Sequence, residues 1–303
     1  MFLLTGATGV FGHAVARRLI ARGDAVRCLV RDPRRLGPER VRVQLAIGDL
    51  ADPASWRNAL RGVDTVIHLA GCARDQPRAT VEELNGLATW RLLRAAERVG
   101  ARRFVWITPL GASPQHEHRM LRAKAHADIA LAAAAIPVTT LAHSLVYAPG
   151  DRHLRWLERL GYLPAVPLAG AGTARTQPIY AEDAADCLIS ALERAPGRFE
   201  LAGPQTLTQR EFVQLVLTRR RRTVPTPRRG LRAALRAQEL LAGAAAPIAW
   251  DDAQLLTVDM LTARGTADAE ALGVSPRPVR AVLTGPTGAR LPSARRPAAA
   301  GLR

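Results

Sequence analysis

Three glycines at positions 6, 9 and 12 decide the architecture of this chain before anything else in it. Phe2-Leu3-Leu4 is a short apolar run of strand type, and Thr5-Gly6-Ala7-Thr8-Gly9-Val10-Phe11-Gly12 follows without a gap. The next residues, His13 to Arg22, continue a helical stripe of Val10, Ala14, Leu19 and Ile20, and Gly23 supplies the stop. Strand, glycine turn and helix in that order open a βαβ unit that binds a dinucleotide. Gly6 turns the chain sharply out of the strand. Gly9 has no Cβ, so a pyrophosphate can approach the backbone, and Gly12 lets the helix lie close on the sheet. The free N–H groups at the helix start and the positive end of its dipole hold the anion. The binding set expected here is Gly6, Thr8, Gly9, Val10, Phe11 and Gly12.

The spacing is G-x-x-G-x-x-G, worded Thr-Gly-Ala-Thr-Gly. In these residues the sequence resembles the short-chain dehydrogenase/reductase superfamily, in its extended and atypical branch. That branch includes sugar-nucleotide epimerase-like proteins, NmrA-like proteins and relatives of the NADPH-binding accessory subunit of respiratory complex I. The resemblance spans residues 1 to 280 and is strongest over the first 150. It implies an α/β fold, a doubly wound parallel Rossmann sheet with a small C-terminal substrate lobe. Residues 1–150 would form the nucleotide-binding core, 151–283 the rest of the sheet and the lobe, and 284–303 a tail.

Further strands follow in order. Ala25 to Val30 is one, with Arg31-Asp32 at its end, where the adenosine ribose arrives. An acidic side chain there accepts from a free 2′-hydroxyl, whereas a guanidinium pairs with a 2′-phosphate. Arg31 comes first, which favours NADP(H) over NAD(H), with Asp32 holding the alternative open and Arg34 and Arg35 as assistants or solvated loop charges. Val41 to Ala46 alternates as a third strand ending in Gly48-Asp49-Leu50. The resemblance lays Asp49 and Leu50 along the adenine; Asp49 also suits a turn or N-cap before a helix starting near Pro53. Asp64 to Gly71 is a fourth strand in which His68 packs, and its Leu69-Ala70-Gly71 end resembles the segment that passes beneath the cofactor. Val81 to Val99 is a long helix carrying Asn85, and Arg102 to Ile107 is strand five.

The resemblance also implies a catalytic set: a Ser or Thr after strand five and a Tyr-x-x-x-Lys pair on the next helix. Tyr moves the substrate proton, Lys lowers the Tyr pKa and holds the nicotinamide ribose, and the hydroxyl polarises the substrate oxygen. Lys124 falls in the lysine position and is the only lysine in the chain, the other 42 basic residues being arginine. A compact ammonium that can shift its pKa is a different tool from a guanidinium. Thr108 keeps the hydroxyl. Position 120, one helical turn before Lys124, is Met, which transfers no proton. His116, His118, His143 and Tyr147 are the candidate replacements, each His with a structural reading beside the catalytic one.

In the second half, Arg175, Gln177 and Tyr180 are candidate substrate contacts or braces between lobes. No histidine or cysteine set has metal spacing. Cys28, Cys72 and Cys187 are widely spaced in apolar settings and read as reduced core thiols, which points to the cytoplasm. The apolar runs are shorter than a membrane span, and the N-terminus enters strand one directly. The net charge of +17 is spread over the chain apart from Arg219 to Arg222 and the C-terminal tail, without interleaved aromatics to stack bases. It argues for a solvated basic face with peripheral attraction to anionic surfaces, not specific nucleic-acid binding. The partner expected is a small or nucleotide-linked substrate, with oligomeric state left open. The functional expectation is an NADP(H)-binding oxidoreductase. Two alternatives stand beside it, a catalytically silent NADP(H) sensor or accessory subunit and a non-redox isomerase or cyclase.

Overall fold

The computed structural model describes residues 1–217, 221–242 and 250–284. Strands β1 (Phe2–Thr5), β2 (Val26–Val30), β3 (Gln44–Ile47), β4 (Thr65–His68), β5 (Arg103–Pro109) and β6 (Val138–His143) alternate with helices. The helices are α1 (Val10–Ala21), α2 (Pro53–Trp56), α3 (Ala88–Arg98) and α4 (Arg119–Ala132). The chain continues through β7 (Val146–Tyr147), α5 (Arg152–Leu160), β8 (Ala165–Ala169), β9 (Arg175–Thr176), β10 (Ile179–Tyr180), α6 (Ala181–Leu192) and β11 (Arg198–Leu201). The main sheet has seven strands in the order β11-β6-β5-β4-β1-β2-β3, and every pairing in it is parallel. The chain runs outward from β1 to β3 and then crosses to β4 on the other side. This makes β1 and β4 the switch point of a doubly wound α/β sheet, where the carboxyl ends part.

The inner strands β1, β2, β4 and β5 are buried on both faces, as a helix-covered parallel sheet requires, while the edge strand β3 is largely exposed. Leu4, Cys28, Ile67 and Val105 face α1 and α6, joining Val15, Leu19, Ala184 and Leu188 in one core. Leu3, Leu29, Val66, Phe104 and Trp106 face the other way, against Trp56, Leu92, Leu93 and Leu131. This is the period-two alternation of a strand. Arg18 fastens α1 to α6 through Glu182 and Asp186.

Thr5 and His68 are register partners on β1 and β4. Thr5 Oγ1 donates to His68 Nδ1 (2.6 Å), and His68 Nε2 donates to Thr89 Oγ1 (3.1 Å). The Thr89 hydroxyl in turn donates to the Asn85 carbonyl (3.0 Å). Burial holds the imidazole neutral, with its pKa pushed down to about 3.

Local details differ from the sequence reading. Val10 is exposed, and the buried face of α1 is Phe11, Ala14, Val15 and Leu19. The cause is that Gly9 is the N-cap, so Val10 opens the first turn on the solvent side. Val41 is also exposed, and the third strand begins only at Gln44, after 3-10 turns over Pro33–Val41. The long helix before β5 contains a π turn, Glu83–Leu87.

The second lobe packs Leu154 and Leu157 of α5 against Val166 and Leu168 of β8 and against Phe212 and Val213. Those last two lie on α7 (Gln209–Val216), which follows β12 (Leu207–Thr208) and opens with a Thr208–Glu211 capping box. Next come β13 (Arg222–Thr226), paired with β8, then α8 (Arg228–Ala242), α9 (Trp250–Leu255), α10 (Ala267–Ala271) and α11 (Val279–Thr284). Arg219 and Arg220 of the basic run and residues 285–303 of the expected tail lie outside the described residues. Among the described residues no helix is long and apolar enough to cross a membrane.

Candidate dinucleotide site

A cleft of about 850 Å³ opens along the carboxyl ends of β1, β2 and β4, within the size range of small-molecule and cofactor sites. Gly6, Thr8 and Gly9 form its first wall. Gly6 has φ +76°, and a Cβ on it would lie 2.6 Å from the Leu69 and Ala70 backbone. A Cβ on Gly12 would lie 2.1 Å from the Gly6 carbonyl oxygen, so only glycine lets α1 come this close. Gly9 is exposed, and α1 begins behind it with no side-chain cap. The first-turn N–H groups therefore have no intrahelical or side-chain acceptor, which is the arrangement an anion satisfies. Val10, Phe11 and Gly12 belong to that turn by backbone and are not on the cleft wall.

Leu69, Ala70 and Gly71 leave the end of β4 along the cleft, and Asp49 and Leu50 leave β3 along it. Asp49 Oδ1 accepts from Ala51 N (3.1 Å) in a tight turn, while the cap of α2 is Asp52, which accepts from Ala54 N. Arg31 and Arg35 line the cleft. Asp32 does not; its carboxylate accepts from Arg34 N (3.0 Å) and caps the Pro33–Val41 turns. These features together fit a dinucleotide: an open helix N-terminus for a pyrophosphate, a backbone approach that a Cβ would fill, and guanidinium groups beside the ribose position.

Lys124 is buried at 4% exposure. Its Nζ donates to the Ile107 carbonyl (3.0 Å), stands 4.0 Å from the centroid of the Trp106 ring, and reaches beneath Gly71, where an added Cβ would lie 3.4 Å away. Burial lowers its pKa to about 8, against the opposing pull of the Asp128 carboxylate. Asp128, one turn further along α4, accepts from Trp106 Nε1 (2.6 Å) and from Thr108 Oγ1 (2.9 Å). Burial raises the Asp128 pKa, and these two hydrogen bonds oppose the rise. The Thr108 hydroxyl is thus buried and turned to Asp128. Asp128 was legible only as a residue four places after Lys124, on the same helix face.

The other candidates are dispersed. His118 is buried as the N-cap of α4: Nδ1 accepts from Met120 N and Nε2 donates to the Asp251 carbonyl (2.9 Å). His116 Nδ1 accepts from His118 N. His143 Nδ1 donates to the Ser144 carbonyl (2.7 Å), and burial lowers its pKa to about 4. Tyr147 is buried in the lobe core with Tyr180 and Phe212, and burial raises its pKa. Met120 packs with Val81 and Leu121. Gln177 Oε1 accepts from Thr262 N (2.8 Å), Arg175 is exposed with its N–H on Asp259 Oδ1, and Tyr180 lies under the Arg277 guanidinium. None of those three lines the cleft; all three sit in contacts between segments of the second half. Cys72 does line it, with its backbone N–H and carbonyl held by the Asn85 amide, and burial raises its thiol pKa to about 11.

Comparison with known proteins agrees with this geometry. Residues 6–153 match the NAD(P)H-binding family. The chain is 30% identical over 230 residues to NADH dehydrogenase [ubiquinone] 1 alpha subcomplex subunit 9, mitochondrial, of Arabidopsis thaliana, covering 70% of this chain and 56% of that protein. It is 28% identical over 188 residues to a ceramide reductase of Caulobacter vibrioides, covering 62% of this chain and 59% of that one. The chain therefore spans little more than half the length of these relatives. The fold is shared with UDP-glucose 4-epimerase of Thermus thermophilus, crystallised with NAD, at TM-score 0.69 and 19% identity over 93% of this chain and 97% of that one. Glycine cradle, seven-stranded parallel sheet and matched relatives agree: residues 6–153 form an NAD(P)H-binding family domain, and the chain fits the atypical short-chain dehydrogenase/reductase superfamily.

Proposed function

We propose that this chain binds NADP(H), in preference to NAD(H), along the cleft, and acts as an NADP(H)-dependent oxidoreductase on a small or nucleotide-linked substrate. One observation carries the cofactor preference. At the end of β2 the two arginines, Arg31 and Arg35, line the cleft, while Asp32 is engaged as a helix cap. A guanidinium matches a 2′-phosphate by charge and by paired donors, while one oxygen of the Asp32 carboxylate is already committed to the cap.

Gly6, Gly9 and the open start of α1 would hold the pyrophosphate, Asp49 and Leu50 the adenine side, and Leu69 to Gly71 the floor. Bound there, NADP(H) supplies hydride transfer to or from a carbon centre. Lys124, beneath Gly71, would place a positive charge under the ribose, and its carbonyl bond to Ile107 fixes the direction of the ammonium. Met120 removes the proton donor the family keeps one turn before this lysine, so the proton passes through another group or water. Three reduced thiols support a reducing compartment, in keeping with a cytoplasmic site.

The second reading is a protein that holds NADP(H) without consuming it, and a specific observation favours it. Thr108 and His118 have their polar side-chain atoms engaged within the protein, His143 Nδ1 is held by the Ser144 carbonyl, and Met120 is apolar. Titration with NADPH and NADH, followed by nicotinamide fluorescence, tests the shared premise. Tight NADPH with weak NADH binding is expected, and binding of neither overturns both readings. NADPH consumption across a panel of carbonyl substrates then separates them.

A further inference from the structure

One wall of the cleft is a loop. Residues 72–77, between β4 and the helical turns that start at Val81, line it. Gln76 and Pro77 also line a second hollow of about 460 Å³, beside Arg31 and Asp49. The loop therefore stands between two spaces. Its tip is a tight hairpin, in which Gln76 and Ala79 exchange backbone hydrogen bonds (2.9 and 3.3 Å). The Gln76 amide donates to the Arg74 and Asp75 carbonyls. These bonds are local: they give the loop a shape but do not fix where over the cleft that shape rests.

A tie to α4, 44 residues further along the chain, supplies that position. Arg119, the first residue of α4, donates through Nη1 and Nη2 to both oxygens of Asp75 (3.0 and 2.9 Å). Through Nε and Nη2 it donates to both oxygens of Glu82 (2.8 and 2.6 Å), where the chain is helical again. Two edges of one guanidinium thus hold two carboxylates, a planar fork that a lysine cannot reproduce. The arginine holds both carboxyls below their usual titration range. Asp75 Oδ1 also accepts from Val81 N (2.8 Å), and at the other end of the loop the Asn85 amide holds Cys72. His118, next to Arg119, donates to the Asp251 carbonyl, so the same end of α4 is fixed to the second lobe and anchors the tie. All three side chains of the Arg119 cluster keep contact with solvent. Pairs of this kind add little to global stability. Their effect is on where the loop sits.

We propose that Arg119 is the positioning residue for this wall: its pair with Asp75 latches residues 72–79 over the bound dinucleotide, and release of the nucleotide requires the latch to open. The proposal rests on the reading that the cleft holds a dinucleotide. Arg119 is not on the cleft lining, so it acts through the loop and not on the nucleotide. Arg31 and Arg35 differ in this respect, since both line the cleft. A latch slows the departure of any nucleotide with the common core, whether or not it carries a 2′-phosphate.

The test uses the full-length protein as wild type, Arg119→Gln, Asp75→Asn and the double variant, with NADPH and NADH as probes. Hydrogen–deuterium exchange should show residues 72–80 exchanging at least about fivefold faster in Arg119→Gln, with β1, β4 and α1 unchanged. Stopped-flow displacement should show both nucleotides leaving about tenfold faster, by the same factor. The double variant should release them no faster than the quicker single variant, because both substitutions remove one contact. A loss confined to NADPH would make Arg119 a phosphate contact and overturn the latch. So would release at the wild-type rate, or faster exchange throughout the sheet of a folded variant. If Arg119→Gln does not fold, Asp75→Asn, which keeps an oxygen for Val81 N, decides by the same criteria. If the wild type binds neither nucleotide, the dinucleotide reading falls, and exchange of residues 72–80 alone decides whether Arg119 fixes the loop.

Discussion

The ammonium of Lys124 rests 4.0 Å above the Trp106 ring, and the indole N–H of that same tryptophan is tied to Asp128, one helical turn beyond the lysine. Lysine, tryptophan and aspartate thus form one largely buried unit on the underside of the cleft. Its charge state follows from burial. The folded ammonium titrates at about 8, whereas the unfolded one titrates at 10.5. Between these values the folded chain binds fewer protons than the unfolded chain, so this residue makes unfolding harder as pH rises from about 8 to 10.5. Below that window the cost of burying the charge is present in full. The gain across it is on the order of 3 kcal/mol. Urea unfolding of wild type and Lys124→Met at pH 7.5 and pH 10 checks this: the wild type should gain stability relative to the variant at the higher pH. Parallel behaviour of the two proteins would refute it.

Asp128 is the acceptor for two buried donors, so Asp128→Ala leaves both Trp106 Nε1 and Thr108 Oγ1 unmatched. A loss of about 2 kcal/mol is expected in chemical denaturation. Asp128→Asn keeps one acceptor oxygen and should lose about half as much. Both variants remove the negative charge that supports the ammonium, so in either background the pH-dependent gain attributed to Lys124 should begin below pH 8.

The two glycines of the turn separate fold from binding. Gly12→Ala drives a methyl group to 2.1 Å from the Gly6 carbonyl oxygen. Its cost should be about 3 kcal/mol or more, seen as a large drop in melting temperature. Gly9→Ala meets the same oxygen at 3.4 Å, close to ordinary contact. That variant should melt within a few degrees of wild type yet bind NADPH weakly, because the methyl projects where the pyrophosphate would lie. Equal melting behaviour of the two would contradict the packing argument.

Arg31→Ala and Arg35→Ala should each reduce NADPH affinity about tenfold, with little effect on NADH, if their guanidiniums receive the 2′-phosphate. The wild-type preference should shrink as salt is raised, since both side chains are exposed. A nucleotide preference that is absent or insensitive to these substitutions would remove the basis for choosing NADP(H).

The nucleotide half of the fold is legible in the sequence because its signals are local. Glycines at 6, 9 and 12 act on neighbouring backbone, and strand-type runs announce β1, β2, β4 and β5 within a few residues. What the sequence hides is partnership over distance. Asp32 reads as a ribose acceptor, and only the turn at Pro33 shows that one of its oxygens also serves as a cap. His118 reads as a free imidazole until α9 brings the Asp251 carbonyl to it from 133 residues away. Gln177 and Tyr180 read as cleft residues, but Thr262 and Arg277 return from the end of the chain to engage them. Arg152 shows no motif at all; only the packing of the second lobe against the first turns its position toward the cleft.

The Thr5–His68 pair at the middle of the sheet has a consequence for how the chain finds its structure. Leu3-Leu4 and Val66-Ile67 are nearly interchangeable apolar dipeptides, and greasy strands of this kind can slide past each other at small cost. A slip of one residue would push the imidazole to the opposite face, away from both hydroxyls, and bury it without a partner. The polar contact therefore serves less as glue than as a detent: of the several alignments that hydrophobicity alone would tolerate, it leaves one in which every proton at the centre of the sheet has somewhere to go.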